Sequence, residues 1–360
     1  MYKEIIAGTF GDITQTISSY LREGNQDILW FRGQRVSEWN IVPTLYRDNK
    51  LRGNSKSSYS NIHLMEDYRF HNFRAKTGHS IRANLQSKLE WQEVMQHHEV
   101  KTLLLDWTES ATTALIFALE ELIKTDGDNK KRLEMTPALW LLHPKKLNEE
   151  IYKLMTTPVG DRYKYIERAI SFMAGIQTVS YAQRLGHELA RNEDVYFSLD
   201  EYYSIDKLFN LSAIEEVRTR NRGHLLESLM SFEFNPFHYM LLRYYSDGII
   251  VDVDHSEPIL PPLATVHQYH SARIEAQRGV FLVVPHYKLT QNAQRLYECG
   301  IDMRALDSHP RCDEYLQKIR LVDPVQIARD LIHIGERRSS VYPELSVYAN
   351  DIEKRNTDYT

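Results

Sequence analysis

Residues 28–34, which read Ile-Leu-Trp-Phe-Arg-Gly-Gln, decide the fold of this chain. The apolar run predicts a strand over residues 27–31 that ends where Arg32 and Gly33 begin. An arginine at a strand end can hold a phosphate or carboxylate with two parallel hydrogen bonds. A glycine beside it lets the backbone turn away or approach a ligand closely. The alternative interpretation is a surface arginine that follows an edge strand.

A second unusual segment points to a cleft. Residues 95–111 read Met-Gln-His-His-Glu-Val-Lys-Thr-Leu-Leu-Leu-Asp-Trp-Thr-Glu-Ser-Ala and lead into a helical pattern over 112–122. Thr108 and Ser110 both suit the N-cap of that helix, so their hydroxyls either cap it or contact a ligand. The free amides at the N-terminus of a helix form an anion site.

A third polar group precedes a late apolar run. Glu275 and Gln277 stand two residues apart before residues 279–284. If their segment is extended, both side chains point the same way. The three segments are far apart in sequence, and each places polar groups beside a strand or helix end, which is how clefts are built. A solvated glutamate beside a strand remains the alternative for Glu275.

Adjacent histidines raise the question of a metal. His97 and His98 lie near Glu99 and Asp106, but neighbouring side chains diverge on a helix, and no His-Glu-x-x-His spacing or cysteine pair is present. No metal is therefore expected. We expect His98, with His97 as the second choice, to line the cleft as a neutral donor, unless it caps its helix. Asp106 is assigned to the scaffold, accepting hydrogen bonds from the turn that follows, with Trp107 packed beneath it.

Composition limits the partners. The 360 residues carry 44 basic and 49 acidic side chains, a net charge of −5, so no strong global field draws the chain to nucleic acid or to a membrane. The two cysteines, Cys299 and Cys312, are too few for a disulfide framework and suit a reducing compartment. No run approaches the roughly 20 apolar residues that span a bilayer. We expect a soluble, cytoplasmic protein without a membrane partner.

The chain divides into three parts by pattern. Residues 1–144 form the first part of a mixed α+β core, and residues 248–360 form its second part with a closing helix. Residues 145–247 change to long helical patterns rich in tyrosine and mixed charge, which predicts a helical insertion or subdomain. No P-loop, Gly-x-Gly-x-x-Gly or Gly-x-Ser-x-Gly motif is present, which disfavours ATPases, Rossmann dehydrogenases and α/β-hydrolases.

The chain resembles the FRG domain family, a bacterial and phage-associated group named for a Phe-Arg-Gly signature. The matching blocks are Phe31-Arg32-Gly33-Gln34, Gln96-His97-His98, Leu104-Leu105-Asp106-Trp107-Thr108, and the Arg-Ile-x-Ala-Gln-x-Gly-x-Phe pattern at 273–281. Residues 331–335 and 342–345 look like the closing helix and loop of the family. The chain departs from the family where Glu99 replaces the usual glycine, Lys101 the usual proline and Leu103 the usual arginine.

More distantly, the same pattern resembles the NAD-binding constellation of ADP-ribosyltransferases. The resemblance implies an ADP-ribosyltransferase-like mixed β core with several helices, and NAD as a substrate. It assigns Arg32, Gly33, Gln34, His98, Thr108 and Ser110 to NAD binding, and Glu275, Gln277 and Arg32 to catalysis. Because glutamine carries no negative charge, the choice between Glu275 and Gln277 as the working group stays open.

The two resemblances imply an enzyme that transfers ADP-ribose to RNA, DNA or protein, acting as a toxin or an antiphage effector. Restraint by an antitoxin or chaperone is left open. The alternatives are a non-catalytic module that senses a nucleotide or a phage-derived ligand, and an NAD glycohydrolase. A nuclease is the weakest alternative, because no acidic cluster has metal-ligand spacing.

Overall fold

The computed structural model describes residues 3–22, 28–47, 62–79, 81, 85, 88–124, 136–156, 245, 250–253, 260–265, 271–289, 305–309 and 311–357. Residues 1–150 together with 250–360 form one compact unit, and residues 151–249 form a second. The helical insertion expected at 145–247 lies almost wholly outside the described residues, so its helices stay a prediction.

The described chain contains nine strands and eight α-helices. The strands are β1 (Lys3–Ala7), β2 (Trp30–Gln34), β3 (Leu104–Thr108), β4 (Ala138–Leu142), β5 (Ile250–Val253), β6 (Leu263–Thr265), β7 (Gly279–Val283), β8 (His286–Leu289) and β9 (Leu316–Leu321). The helices are α1 (Phe10–Arg22), α2 (Ile62–Thr77), α3 (Lys88–His97), α4 (Ala111–Lys124), α5 (Pro144–Thr156), α6 (Ala272–Ala276), α7 (Pro324–His333) and α8 (Leu345–Thr357).

Seven strands form one mixed sheet in the order β1-β9-β4-β2-β3-β7-β6. The pair β1–β9 is parallel and the other neighbours are antiparallel. Strands β5 and β8 form a separate parallel pair. The prediction of a protein with a mixed β core and several helices is confirmed. The finer likeness to ADP-ribosyltransferases stays a prediction.

The sheet is weakly joined at its centre. Every residue of β2 pairs with β4, and every residue of β3 pairs with β7. Between β2 and β3, however, the register contains only the pair Phe31–Thr108. We call this junction between β2 and β3 the seam. Strands that meet at one point and diverge leave room for side chains and ligands between them.

Strand β2 continues past the point where the sequence predicted its end. It runs through Gly33 to Gln34, so Arg32 is the third of five strand residues instead of a strand-end residue. The reason is that β4 pairs with β2 along its whole length. Because side chains alternate across a strand, Arg32 and Gly33 face opposite sides of the sheet.

Gly33 is required by the packing of helix α4 on β2. A Cβ atom at this position would stand 1.8 Å from the carbonyl oxygen of Ala114 and 2.8 Å from the amide nitrogen of Ala118. This close contact between a strand and a helix is one reason for glycine here, and the expected role of Gly33 in ligand approach stays a prediction. The same side of the sheet carries a large apolar core that includes Phe31, Leu119 and Leu139.

Candidate functional site

A cavity of about 990 Å³ lies where the sheet opens at the seam. Its walls come from β2 and the segment after it, from α3, β3 and α4, and from α6 and β7. Charged side chains of both signs line it, together with aromatic rings such as Trp39, Trp107 and Phe281. Its volume lies at the upper end of the roughly 300–1,000 Å³ typical of small-molecule pockets.

Arg32 is the central cation of this cavity. Its Nη1 donates a hydrogen bond across the seam to the backbone oxygen of Asp106. Its Nε is buried and has no hydrogen-bond partner among the described residues. Burial and, to a smaller extent, the positive charge of the nearby Arg47 lower the pKa of Arg32 to about 10, while the negative charge of Asp106 opposes both. Arg32 is therefore charged at neutral pH and keeps hydrogen-bonding capacity for a ligand.

Asp106 presents its carboxylate to the cavity. It is exposed in the middle of β3, and its Oδ1 accepts a hydrogen bond of 2.6 Å from Nε2 of Gln96. The Thr102 hydroxyl donates to Oε1 of Gln96, which fixes the orientation of that amide. The Asp106 carboxylate was expected to accept hydrogen bonds from the turn that follows it. It accepts one from Gln96 instead, because a side chain in the middle of a strand does not reach the turn. Asp106 is a cavity residue that sequence reasoning assigned to the scaffold.

Arg47 brings a second guanidinium to the cavity. Its Nε donates to the backbone oxygen of Val42 at 2.7 Å, which holds the side chain against the segment after β2. Burial lowers the pKa of Arg47, and attraction to Asp106 acts in the opposite direction. Two guanidiniums thus interact with the one carboxylate of Asp106.

Glu93 is a buried acid in the cavity wall. Its side chain is 1% exposed and lies on α3. Burial raises the pKa of Glu93 well above its ordinary value, and the negative charge of Glu90 acts in the same direction. The protonated form is therefore favoured, and a protonated carboxyl can donate a hydrogen bond. Nothing in the local pattern of α3 distinguished this glutamate from a solvated one.

Helix α3 ends in a motif that usually needs glycine. The amide of Val100 donates to the oxygen of Met95 at 2.9 Å, and the amide of Glu99 donates to the oxygen of Gln96 at 2.9 Å. This is a Schellman ending, with Glu99 at the left-handed position, where φ is 62°. The FRG pattern has glycine here, and this chain holds a glutamate in strained backbone instead.

The structure places His97, the second choice, in the cavity wall, and does not place His98 there. Burial lowers the pKa of His97, and the neighbouring His98 and Arg273 lower it further, while Glu344 opposes them. His98 is exposed, and its ring packs against Phe73 at a centroid distance of 6.2 Å. The two imidazole rings also meet edge to face, with their centroids 5.0 Å apart.

Thr108 and Ser110 act as capping residues. The Ser110 hydroxyl oxygen accepts a hydrogen bond from the amide of Thr113 at 3.2 Å, which caps α4. The Thr108 hydroxyl donates to the oxygen of Gln277 at 2.7 Å and accepts from the amide of Ser110 at 3.0 Å. Thr108 lines the cavity and Ser110 does not. Their hydroxyls join β3, α4 and α6, and this favours the capping alternative for both.

The Glu275–Gln277 segment is helical, not extended. Ser271 caps α6 by accepting a hydrogen bond from the amide of Ile274, and Gln277 is the C-cap. Residues two apart on a helix point in different directions, so the premise of a shared direction fails. Gln277 lines the cavity, but its Nε2 donates to the oxygen of Val341 at 3.1 Å. Glu275 is exposed and is not part of the cavity wall.

The remaining predicted residue, Gln34, is mainly structural. It lines the cavity with 6% of its surface exposed, and its Oε1 accepts a hydrogen bond of 2.7 Å from the indole nitrogen of Trp140. Arg273 on α6 is a cavity residue that sequence reasoning did not single out. Its guanidinium lies 4.7 Å from the ring centroid of Tyr342 and 3.9 Å from Glu344. Its position in the Arg-Ile-x-Ala-Gln block was the available signal.

The site therefore gathers five of the eight predicted residues. Those in the cavity wall are Arg32, Gly33, Gln34, Thr108 and Gln277, and those outside it are His98, Ser110 and Glu275. A search of the described residues finds no group of three or more His, Cys, Asp or Glu side chains that could hold a metal ion. Across the same residues, no helix is long and apolar enough to cross a membrane.

Comparison with known families gives one result. The family model described as the FRG domain matches residues 27–127, the stretch that contains β2, α3, β3 and α4. The chain therefore carries an FRG domain, and that domain supplies Arg32 and Asp106. No curated protein and no solved structure matches the chain.

Proposed function

We propose that the cavity binds NAD and that the protein transfers ADP-ribose from it to a macromolecule. The observation that carries this proposal is Arg32, a charged guanidinium at the seam whose buried Nε has no hydrogen-bond partner among the described residues. Leaving a buried donor unsatisfied costs about 1–3 kcal/mol. A ligand phosphate that accepts this hydrogen bond recovers that energy.

The charges of the cavity suit a diphosphate. Arg32 and Arg47 both line the cavity and both interact with the Asp106 carboxylate. The cavity wall as a whole holds four arginines and five acidic side chains, so we place the phosphate locally, where Arg32 and Arg47 lie near the single carboxylate of Asp106. Guanidinium groups bind phosphate through paired hydrogen bonds. The volume of about 990 Å³ is large enough for a dinucleotide.

The reaction breaks a carbon–nitrogen bond and forms a carbon–oxygen or carbon–nitrogen bond, and the proton that the acceptor loses passes to solvent. The bond between the ribose carbon and the nicotinamide nitrogen breaks, and both its electrons leave on that nitrogen. An acceptor oxygen or nitrogen bonds to the same ribose carbon and loses a proton. The ribose carbon is positively charged in the transition state, as in glycoside cleavage. A carboxylate beside it stabilises this state more than the ground state.

We assign the carboxylate role to Asp106. Its carboxylate faces the cavity and is oriented by Gln96. The earlier candidates fit this role less well, since Glu275 lies outside the cavity wall and the amide of Gln277 is bound to Val341. The acceptor class, RNA, DNA or protein, follows from the resemblance to ADP-ribosyltransferases and not from a contact in the cavity.

Labelled NAD tests this proposal. The purified protein is incubated with labelled NAD and cell extract, including extract from phage-infected cells. We expect labelling of a macromolecule, and a loss of about 100-fold or more in Arg32→Ala and in Asp106→Asn. The control is Arg329→Ala, which removes an exposed arginine on α7 outside the cavity. Labelling that is absent from every extract, or that survives in Arg32→Ala, would contradict the proposal.

A non-catalytic nucleotide sensor is the second candidate. It is favoured by the engagement of Gln277 with Val341 and by the position of Glu275 outside the wall. This candidate predicts that NAD raises the melting temperature without being consumed. An NAD glycohydrolase would instead release nicotinamide without labelling a macromolecule.

The biological role that we propose, a cytoplasmic toxin or antiphage effector, rests on the family resemblance. Induced expression in bacteria tests it. We expect the wild-type chain, but not Arg32→Ala at equal protein level, to arrest growth or to block phage. Growth arrest that is relieved by a co-expressed neighbouring gene would identify an antitoxin. Equal growth with both chains, with and without phage, would contradict this role.

A further inference from the structure

Trp39 is an exception among the tryptophans of this chain. Its side chain is 51% exposed and lines the cavity. The other four are buried, with exposures between 0% and 8%: Trp30, Trp91, Trp107 and Trp140. Exposing an indole to water forfeits much of the favourable free energy of its burial. An exposed indole in the wall of a cavity is suited to stack on a flat ring.

The backbone around Trp39 is fixed by hydrogen bonds. The amide of Trp39 donates to the oxygen of Val36 at 3.2 Å, and the amide of Val42 donates to the oxygen of Asn40 at 3.0 Å. Within the second of these turns, the amide of Ile41 donates to Oδ1 of Asp307 at 2.8 Å. Two local turns and the hydrogen bond to Asp307 therefore hold the backbone of this segment.

The side chains on this fixed backbone are not engaged. Glu38 and Asn40 flank Trp39, and all three are exposed and line the cavity. Their side chains form no hydrogen bond or ion pair with any residue in the described part of the chain. A rigid backbone that presents one aromatic ring, one carboxylate and one amide binds a ligand at low entropic cost.

We infer that Trp39, Glu38 and Asn40 form the subsite for the adenine base of the nucleotide. The indole stacks on the base, and the carboxylate of Glu38 accepts a hydrogen bond from the exocyclic amine. Asn40 adds an amide that can donate and accept beside it. Arg47 follows on the same segment, so the diphosphate lies next to the base. This inference rests on the proposed function and names the end of the dinucleotide that the segment after β2 recognises.

Binding measurements with halves of the dinucleotide test the subsite. Affinities for NAD, AMP and nicotinamide mononucleotide are measured by calorimetry for the wild type, Trp39→Ala and Trp39→Phe. We expect Trp39→Ala to lower the affinity for NAD and for AMP about 10-fold and to leave the affinity for nicotinamide mononucleotide unchanged. Trp39→Phe keeps an aromatic face and should retain most of the affinity. The control is Tyr68→Ala, which removes another exposed aromatic side chain that is not in the cavity wall.

A base analogue tests the polar half of the subsite. Nicotinamide hypoxanthine dinucleotide lacks the exocyclic amine, and we expect the wild type to bind it about 10-fold more weakly than NAD. The variant Glu38→Ala should lose this preference. Equal affinities of the wild type for the two dinucleotides would overturn the assignment of Glu38 and of adenine.

The outcomes separate the subsite from the proposed function. Suppose that the wild type binds NAD and that Trp39→Ala binds NAD and AMP as tightly as the wild type does. The subsite is then overturned and the proposed function stands. If Trp39→Ala weakens the binding of NAD and AMP but the wild type never cleaves NAD, the subsite stands and the proposed transferase activity is overturned. If the wild type binds none of these nucleotides, both are overturned.

Discussion

The two faces of strand β2 differ in what determines their residues. On one face, Phe31 and Gly33 pack against helix α4, and although both also border the cavity, the space beside the helix decides which residue fits. On the other face, Arg32 and Gln34 line a cavity, where charge and hydrogen bonds decide. Substitutions on the first face should therefore change stability, and substitutions on the second should change binding. Arg32 and Gly33 are neighbours in sequence and provide the sharpest test of this difference.

The largest effect is expected from Gly33→Ala. The added Cβ would collide with backbone atoms of α4, the nearest at 1.8 Å, and helix backbone cannot move aside as a flexible side chain can. We expect a loss of about 3 kcal/mol or more of unfolding free energy, or failure to fold. Urea denaturation measures it. In the control Gly8→Ala, the nearest atom outside the adjoining residues is at 3.8 Å, so a small change is expected. Equal stability of both variants would contradict the packing argument.

A smaller effect, on binding and not on stability, is expected from Arg32→Lys. Lysine keeps the charge but not the paired donors, so the affinity for NAD should fall about 10-fold. The wild-type affinity should also depend on pH. Because the pKa of Arg32 is lowered to about 10, the guanidinium is protonated below that pH and loses its charge as the pH rises through it. NAD binding should be constant near neutral pH and weaken above about 10 while circular dichroism still reports a folded chain.

These two variants decide the comparison together. If Gly33→Ala weakened NAD binding without loss of stability, or if Arg32→Lys unfolded the chain, the division of β2 into a packing face and a binding face would be wrong.

The presence of a strand at the Phe31-Arg32-Gly33 motif was predictable from sequence because its signal is local, but its bounds were not, since the strand covers Trp30–Gln34 and not 27–31. The apolar run beside Arg32 can be recognised from neighbouring residues alone. The same holds for Ser110 as the cap of α4. The partner of Gly33 was not predictable, since Ala114 is far along the chain and only tertiary packing brings it close. The seam could not be predicted from sequence either, because the residues of one strand do not show which strand it pairs with.

The late segment shows a different limit. Helix α6 has five residues, which is too short for helical periodicity, so an extended segment was the natural expectation. Ser271 at its N-cap was the one available sign. The place of Asp106 in the cavity wall was not predicted, because the sequence analysis located no strand over residues 104–108.

The cavity wall also contains a buried acid, Glu93 on α3, and the variant Glu93→Gln should show how much unfolding free energy its burial costs. Burial raises the pKa of Glu93 in the folded state, so the unfolded chain releases that proton at lower pH than the folded chain. The wild type should therefore lose stability as the pH rises above about 4.5, the ordinary value. The variant should lack this loss, so its advantage in unfolding free energy grows with pH. Glu353→Gln, at an exposed glutamate, is the control, and the same pH trend in both would contradict this cause.

The smallest effect is expected at Glu99, at the end of α3. Glycine relieves the left-handed strain at φ 62°, so Glu99→Gly should gain about 0.5–1 kcal/mol of unfolding free energy. Glu99→Ala keeps a Cβ and should gain nothing. A gain in both variants would show that the glutamate charge in the cavity wall, and not backbone strain, is the cause. A gain in neither would remove strain as a feature of this turn.

The seam gives the sheet an unusual mechanical property. Since Phe31 and Thr108 are the sole ladder pair between β2 and β3 in the described chain, the two halves of the sheet are joined there by this pair, by the Arg32 side chain and by helix α4, which packs on both strands. A molecule that occupies the gap and touches both halves would act as a clamp. Deuterium uptake by the amides on either side should then slow when the gap is filled, which makes the sheet itself a reporter of occupancy.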